Sequence, residues 1–227
     1  MKLILDTADL KEIRYFNAYY PIVGVTTNPT ILSKEGGDVL ALLRAIRKEI
    51  GPQKELHVQV IESEYGRMVE EAKAIVELLG ENTFVKIPAT DEGLRATAEL
   101  SAQGYGITVT AVLTAAQAML ASNAGAAYVA PYVSRLENIC DDGIGTVADI
   151  AQIFAVSGTD TEILAASFKT AKEVLDVAVA GAHAATVAPE VMRKLLAHPT
   201  TSTSVAGFSF DWCKAFGDHT LLELIKG

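Results

Sequence analysis

Residues 83–88 read Thr-Phe-Val-Lys-Ile-Pro, a short apolar run interrupted by one lysine. Side chains alternate along a strand, so Phe84 and Lys86 share one face, while Val85 and Ile87 share the other. Apolar residues on both faces are typical of a parallel sheet that is covered on each side. The segment is therefore predicted to be a buried strand with a lysine near its C-terminal end.

Similar runs recur along the whole chain and predict eight strands in all. The runs are Lys2–Asp6, Ile22–Thr27, Leu56–Ile61, Thr83–Pro88, Gly106–Thr110, Ala127–Tyr132, Glu162–Ser167 and Ala184–Val187. Segments with helical spacing lie between them, as in Asp38–Ile50, where apolar residues recur every three or four positions. Eight strand–helix repeats without a linker favour an α/β protein, a single (β/α)8 TIM barrel. An open doubly wound sheet is the alternative, but no GxGxxG follows the first run and no GxxxxGK[ST] occurs.

Helix ends carry their own signals. Thr114 is a predicted N-cap for a helix through Asn123, and Thr170 for a helix that Gly181 ends. Pro189 suits the first turn of a helix, with Pro199 just beyond its end.

Composition limits the function classes. The chain has 227 residues, 50% of them hydrophobic, with 19 basic and 28 acidic side chains and a net charge of −9. That content supplies a large core, and without clustered Lys and Arg we expect no nucleic-acid partner. Two cysteines, Cys140 and Cys213, provide neither a disulfide framework nor a CxxC pair. The first residues lack a signal-peptide pattern and no run is long enough to span a membrane, so a cytoplasmic location is expected.

The C-terminal stretch 200–227 lies outside the eight repeats. Val205, Phe208, Trp212 and Phe216 follow helical spacing and predict an amphipathic helix with an aromatic stripe. We expect one domain over 1–227, with 200–227 a helical extension. It packs either on its own barrel or on a neighbouring subunit, where it would help to build a homo-oligomer.

Lys86 is the first candidate for chemistry, because active sites of barrels lie at the C-terminal ends of the strands. Burial disfavours the charged amine, and a neutral amine can attack a carbonyl to form a Schiff base. A lysine that reaches water or pairs with an acidic group is the alternative reading.

Other polar side chains stand at or just after predicted strand ends. They are Asp6, Thr26, Asn28, Gln59, Thr110, Tyr132, Arg135 and Ser167. Several have ordinary alternatives, such as helix capping by Asp6 and a turn at Asn28. Arg135 with Ser167 suits a phosphate, because a guanidinium matches phosphate geometry and late strands commonly hold phosphate in this fold. The four histidines lack HxH or HExxH spacing, and no GxSxG occurs, so neither a metal site nor a serine nucleophile is predicted.

The sequence resembles the small transaldolase-like family of class I aldolases over nearly its whole length. The matching segments are Leu5–Thr7, Gly24–Pro29, Val85–Pro88, Tyr128–Arg135 and Ala165–Lys169. The resemblance implies a (β/α)8 barrel with its Schiff-base lysine at Lys86, no metal or organic cofactor, and a homo-oligomer of five or ten subunits. Its substrate would be a small sugar phosphate or hydroxyketone.

Two positions separate activities within that family. Transaldolases carry Glu on strand three and Phe on strand six, whereas fructose-6-phosphate aldolases carry Gln and Tyr. Gln59 and Tyr132 therefore imply the aldolase, with Thr110 helping them to hold a catalytic water. The resemblance also implies that Asp6 and Asn28 bind hydroxyls, supported by Thr26, and that Arg135 and Ser167 hold the phosphate. A transaldolase and a non-catalytic sugar-phosphate-binding barrel remain the alternatives.

Overall fold

The computed structural model describes residues 1–226, and at its centre eight parallel strands close into a ring in sequence order. The strands are β1 Lys2–Asp6, β2 Gly24–Thr26, β3 Glu55–Gln59, β4 Thr83–Pro88, β5 Gly106–Val112, β6 Tyr128–Pro131, β7 Glu162–Ala165 and β8 Ala184–Val187. All eight predicted strands are present, with ends shifted by at most two residues. The prediction of an α/β (β/α)8 barrel is confirmed.

Helices follow the strands, and within residues 1–192 they cover the outside of the ring. They are α1 Leu10–Tyr19, α2 Pro29–Glu35, α3 Val39–Ile50, α4 Tyr65–Leu79, α5 Asp91–Ala102, α6 Ala115–Asn123, α7 Val133–Glu137, α8 Gly143–Ser157, α9 Ala171–Val179, α10 Pro189–Leu196, α11 Pro199–Phe216 and α12 Leu221–Lys226. Outward strand residues such as Leu5, Val85 and Ile87 are fully buried. Each such burial contributes about 1.5–3 kcal/mol to folding.

The predicted helix caps are present. Thr114 and Thr170 each form a capping box, with Gln117 and Glu173 respectively, in which side chain and backbone bond reciprocally. Asp9 caps α1 by accepting hydrogen bonds from the N–H groups of Lys11 and Glu12. Asp6 is therefore not the cap of the helix that follows it.

The chain divides into two compact units, residues 1–192 and residues from 193 onward. The second contains α11 and α12, where a single helix was expected. The helix breaks at Gly217, whose φ of 67° is left-handed, and the indole N–H of Trp212 donates to the carbonyl of His219 at 2.7 Å. None of the helices in residues 1–226 is long and apolar enough to cross a membrane.

Candidate active site

Lys86 is a buried lysine inside the barrel, near the C-terminal ends of the strands. Its side chain is 6% exposed, and the Nζ atom donates a hydrogen bond to the backbone carbonyl of Thr27 at 2.9 Å. Burial lowers the pKa of Lys86, and the nearby charge of Asp6 opposes that shift. The amine therefore has access to its neutral, nucleophilic form at lower pH than an exposed lysine would.

Asp6 is the carboxyl group whose charge acts on the amine of Lys86. The Thr26 hydroxyl donates to its Oδ1 at 2.7 Å and also contacts the hydroxyl of Thr186. Burial raises the pKa of Asp6, while Lys86 and Thr26 act in the opposite direction and Glu190 raises it further. A carboxyl group with a raised pKa keeps its proton to a higher pH than an ordinary aspartate does, and in that form it can act as a general acid.

Thr110 and Tyr132 approach each other across β5 and β6. Their hydroxyl oxygens lie 3.3 Å apart, and Thr110 is almost completely buried. A bulge in β5 follows Thr110, because the register with β6 shifts between Val109 and Val112. Ala111 at this bulge has a φ of 57°, a left-handed conformation that costs about 1–3 kcal/mol in a residue other than glycine. The backbone at Thr110 is thus held in a shape that a regular strand would not adopt.

Gln59 neighbours Lys86 directly, since the two residues are register partners on β3 and β4. Paired residues on adjacent strands project to the same side, so both side chains point into the barrel. Gln59 is partly exposed and also lines a cavity of about 590 Å³, together with Pro29, Leu32 and Leu40. It is the one polar side chain offered by β3 at the level of the lysine.

Asn28 has a structural contact that also orients it. Its side-chain oxygen accepts a hydrogen bond from the N–H of Ile31 and caps α2. The ordinary role of Asn28 is thus that of a helix N-cap rather than that of a turn residue. The amide NH₂ group is a separate donor and does not take part in the cap.

Arg135 and Ser167 lie in neighbouring segments of the rim, after β6 and β7. The backbone N–H of Ser134 donates to the carbonyl of Ser167 at 2.9 Å, which places Arg135 next to the β7 loop. The guanidinium of Arg135 lies 4.4 Å from the ring centre of Tyr132. Ser167 has a φ of 66°, so a second non-glycine residue of the rim is in the left-handed region. Such conformations cluster at ligand sites because the surrounding structure must enforce them.

Three features of this site are not among the predicted residues. Thr186 on β8 bonds to Thr26, Glu190 acts on Asp6 through its charge, and Lys86 is held by the Thr27 carbonyl. Thr186 had a signal, since it is the one polar residue in the run Ala184–Val187. A backbone carbonyl carries no signal of its own in a sequence.

The predicted residues thus converge on one end of the barrel. Across residues 1–226, no group of three or more His, Cys, Asp or Glu side chains is arranged to hold a metal ion. The chemistry that this arrangement itself supports is carbonyl attack by an amine, with carboxyl and hydroxyl groups to move protons.

Comparison with known proteins identifies the family of this chain. The family model described as transaldolase/fructose-6-phosphate aldolase matches residues 3–220. A probable transaldolase of Symbiobacterium thermophilum is 43% identical over 218 residues, covering 96% of this chain and 99% of that protein. Probable transaldolases of Clostridium acetobutylicum and Methanococcus maripaludis are 41% and 40% identical, covering 95% and 93% of this chain and 99% and 97% of their own. The chain therefore belongs to the transaldolase/fructose-6-phosphate aldolase family.

Proposed function

We propose that this protein is a Schiff-base aldolase that cleaves fructose 6-phosphate to dihydroxyacetone and glyceraldehyde 3-phosphate, and catalyses the reverse. The observation that carries the proposal is Lys86, an amine 6% exposed whose pKa burial lowers, beside a carboxyl group whose pKa burial raises. Both shifts favour the uncharged forms, a neutral amine as nucleophile and a protonated carboxyl group as proton donor.

The first step joins Lys86 to the substrate. The neutral amine attacks the C2 ketone, and the resulting carbinolamine loses water to give a cationic iminium. Protonated Asp6 gives its proton to the departing hydroxyl group, so that water leaves rather than hydroxide. The hydrogen bond from Thr26 orients the Asp6 carboxyl group for this transfer.

The second step breaks the C3–C4 bond. A water molecule held by Gln59, Thr110 and Tyr132 removes the proton of the C4 hydroxyl, and the bonding electrons move into the iminium to form an enamine. Glyceraldehyde 3-phosphate leaves, the enamine is protonated at C3, and hydrolysis releases dihydroxyacetone and Lys86. A positioned base of this kind contributes about 10²–10⁴-fold to the rate.

The remaining predicted residues bind the substrate in this proposal. Asn28 donates from its free amide group to a substrate hydroxyl, and Thr26 supports Asp6. Arg135 and Ser167 hold the phosphate. The exposed guanidinium of Arg135 stacks on Tyr132, so phosphate binding would also fix the orientation of that ring.

A transaldolase is the second candidate, and the names of the similar proteins favour it. In that reaction the enamine on Lys86 attacks erythrose 4-phosphate instead of being released as dihydroxyacetone. The aldolase proposal is supported by Gln59, since a glutamine can hold a water but cannot itself take a proton as a carboxylate can.

The deciding experiment is a product assay on fructose 6-phosphate with and without erythrose 4-phosphate. We expect free dihydroxyacetone without an acceptor, whereas turnover that requires the acceptor would establish the transaldolase. Borohydride trapping with dihydroxyacetone tests the chemistry common to both, with an adduct expected on Lys86. The exposed Lys172 gives a matched control, because Lys172→Met should keep the adduct and Lys86→Met should lose it. No adduct would leave a barrel that only binds sugar phosphates.

A further inference from the structure

A second polar network lies inside the barrel, on the N-terminal side of Lys86, and the proposed reaction does not use it. His57 is completely buried at its centre. Its Nδ1 atom lies 2.9 Å from the hydroxyl of Thr108, and its Nε2 atom lies 3.2 Å from the carboxyl group of Glu55. The chain of contacts therefore runs from a carboxylate through an imidazole to a hydroxyl.

Glu55 is tied to the N-terminal mouth of the barrel. The hydroxyl of Tyr128 donates to its two oxygens at 3.1 and 3.3 Å, and Lys2 donates to Tyr128 at 3.0 Å. Burial alone would raise the pKa of Glu55, but the hydrogen bonds from His57 and Tyr128 bring it below its ordinary value. Glu55 is thus an ionised group that can only accept hydrogen bonds.

That fact fixes the protons of the network. Because Glu55 only accepts, Nε2 of His57 must carry the hydrogen of that contact. Burial lowers the pKa of His57, with Glu55 opposing, so the ring is neutral near pH 7 and its Nδ1 atom is bare. The Thr108 hydroxyl must then donate to Nδ1, which leaves only acceptor lone pairs on its oxygen.

The network ends beside the proposed nucleophile. Thr108 is the register partner of Lys86 on β5, and His57 is the partner of Phe84, two residues before Lys86 on β4. The imidazole stacks on the ring of Phe84 at 4.8 Å and meets the ring of Tyr128 edge-on at 5.4 Å. The charge of Lys86 acts on His57, so the two groups are electrostatically coupled.

We propose that His57 is a positioning residue for Lys86, locked by Glu55 and Thr108 as the uncharged Nε2–H tautomer so that no second cation lies beneath the iminium. The inference rests on the proposed Schiff-base function and adds a residue to it. An imidazolium at this place would repel the positive charge that develops on Lys86, with little water present to screen it.

Within residues 1–226, six groups contact His57, bond to its network or act on it through their charge. They are Lys2 on β1, Glu55 on β3, Phe84 and Lys86 on β4, Thr108 on β5 and Tyr128 on β6. The two lysines lower the pKa of the imidazole and the glutamate raises it. Tyr128 keeps its proton, since burial raises the pKa of its phenol.

The tautomer is tested by ¹⁵N NMR of the imidazole in the full-length protein. At neutral pH we expect a protonated Nε2 and an unprotonated Nδ1. An imidazolium, or a ring protonated at Nδ1, would overturn the proposal without any assay of activity.

Variants test the function through opposite shifts. Imine formation with dihydroxyacetone, trapped by borohydride, is followed as a function of pH. Thr108→Val removes the donor that favours neutral His57, so the pKa of His57 rises. As the pH is lowered, imine is then lost at a pH about one unit higher than in the parent protein. Glu55→Gln removes the charge that favours the imidazolium, so the loss moves to lower pH. His57→Phe keeps the ring stack and abolishes this dependence, and thermal unfolding checks that each variant folds.

Shifts in a common direction, or no shift, would contradict the role of His57. Lys86→Met separates this inference from the proposed function, because removal of the lysine charge should raise the pKa of His57 as read by NMR. If borohydride trapping gives no adduct but Lys86→Met still raises the pKa of His57, only the Schiff-base function is rejected. An adduct on Lys86 with an unresponsive His57 would reject only the positioning role.

Discussion

At the scale of single residues, Lys86 lowers the stability of the fold that carries it. Its pKa is lower in the folded chain than in the unfolded one, so between those values the unfolded state binds more protons. The free energy of unfolding therefore rises with pH through that window, and the full cost is present below the folded pKa. Lys86→Met should raise the melting temperature at neutral pH and flatten its increase towards alkaline pH. Each kcal/mol gained corresponds to about 2–4 °C.

Calorimetry over a pH series checks this expectation. The exposed Lys172, paired with Asp176 at 2.7 Å, provides the control, because Lys172→Met should change stability by less than about 0.5 kcal/mol. A melting temperature for Lys86→Met at or below that of the parent protein would contradict the predicted cost of burial.

Ser167 combines a strained backbone with a proposed phosphate contact. At its φ of 66°, glycine is free of strain, so Ser167→Gly should be more stable than Ser167→Ala by about 1–2 kcal/mol. Both variants lose the hydroxyl, and the KM for a phosphorylated substrate should rise about ten-fold or more. Steady-state kinetics with phosphorylated and unphosphorylated substrates measure this, and an equal effect on both would remove Ser167 from the phosphate site.

At the scale of elements, Arg47 on α3 joins the starts of two strands. Its guanidinium donates to the carbonyls of Gly51, Lys54 and Asn82 at 3.0, 2.7 and 3.1 Å, and to the Thr83 hydroxyl at 3.1 Å. Arg47→Met should destabilise the fold by about 2–4 kcal/mol, because several carbonyls lose a charged donor.

Urea unfolding measures that loss. Arg44, exposed on the same helix, is the control, and Arg44→Met should remain within about 0.5 kcal/mol of the parent. Since Arg47 serves the opposite end of the barrel from Lys86, the folded variant should keep its kcat. A large fall in the kcat of Arg47→Met at temperatures where the variant is folded would show that Arg47 also shapes the active site.

The bulge in β5 provides a test of how an element aims a side chain. Ala111→Gly relieves the left-handed strain and should be neutral or stabilising, whereas Ala111→Val should cost about 1–3 kcal/mol. The valine variant should also lower kcat by about ten-fold or more, because Thr110 moves relative to Tyr132. Ala102→Val on the exposed face of α5 controls for a simple change of size, and kcat equal to the parent's in Ala111→Val would show that the bulge has no part in aiming Thr110.

Elements were predictable where the signal was local. The strands follow from runs of apolar residues, and Thr114 and Thr170 reveal their helices through side chains that bond within the same turn. The division of the C-terminal helix at Gly217 was not predicted, because the aromatic stripe spans residues on only one side of it. The short helix α2 also escaped the pattern, since none of its residues is buried.

At the scale of the whole molecule, the site depends on closure of the barrel. Asp6, Thr26 and Thr186 stand on β1, β2 and β8, which become neighbours only when the last strand pairs with the first. The location of Lys86, Gln59 and Tyr132 at this end of the barrel could be predicted from strand ends and from a family resemblance. Glu190 could not, and although Thr186 is the one polar residue of its strand, its partner Thr26 could not be predicted either, because these contacts exist only across that closure.

The C-terminal unit presents large apolar side chains, with Phe208 71% and Phe216 53% exposed. We propose that this helix docks on a second copy of the chain, since exposed aromatic side chains are typical of contact surfaces. Phe208→Glu should then reduce the mass measured by sedimentation, whereas Ala206→Glu on another face of α11 should not. An unchanged mass with lower thermal stability would place the stripe against its own barrel instead.

The hydrogen-bond acceptor of the Lys86 amine is a main-chain carbonyl, and every amino acid at position 27 presents the same oxygen. A change of side chain at position 27 leaves that acceptor in place, so a sequence alignment does not reveal it. Thr27 itself is held on β3, since its N–H and its hydroxyl both donate to the carbonyl of His57, at 2.9 and 3.2 Å. Replacing the peptide between Thr27 and Asn28 by an ester, whose carbonyl is a weaker acceptor, is the chemical edit that reaches it. The main-chain carbonyl of residue 27 is thus part of this site whatever side chain that residue carries.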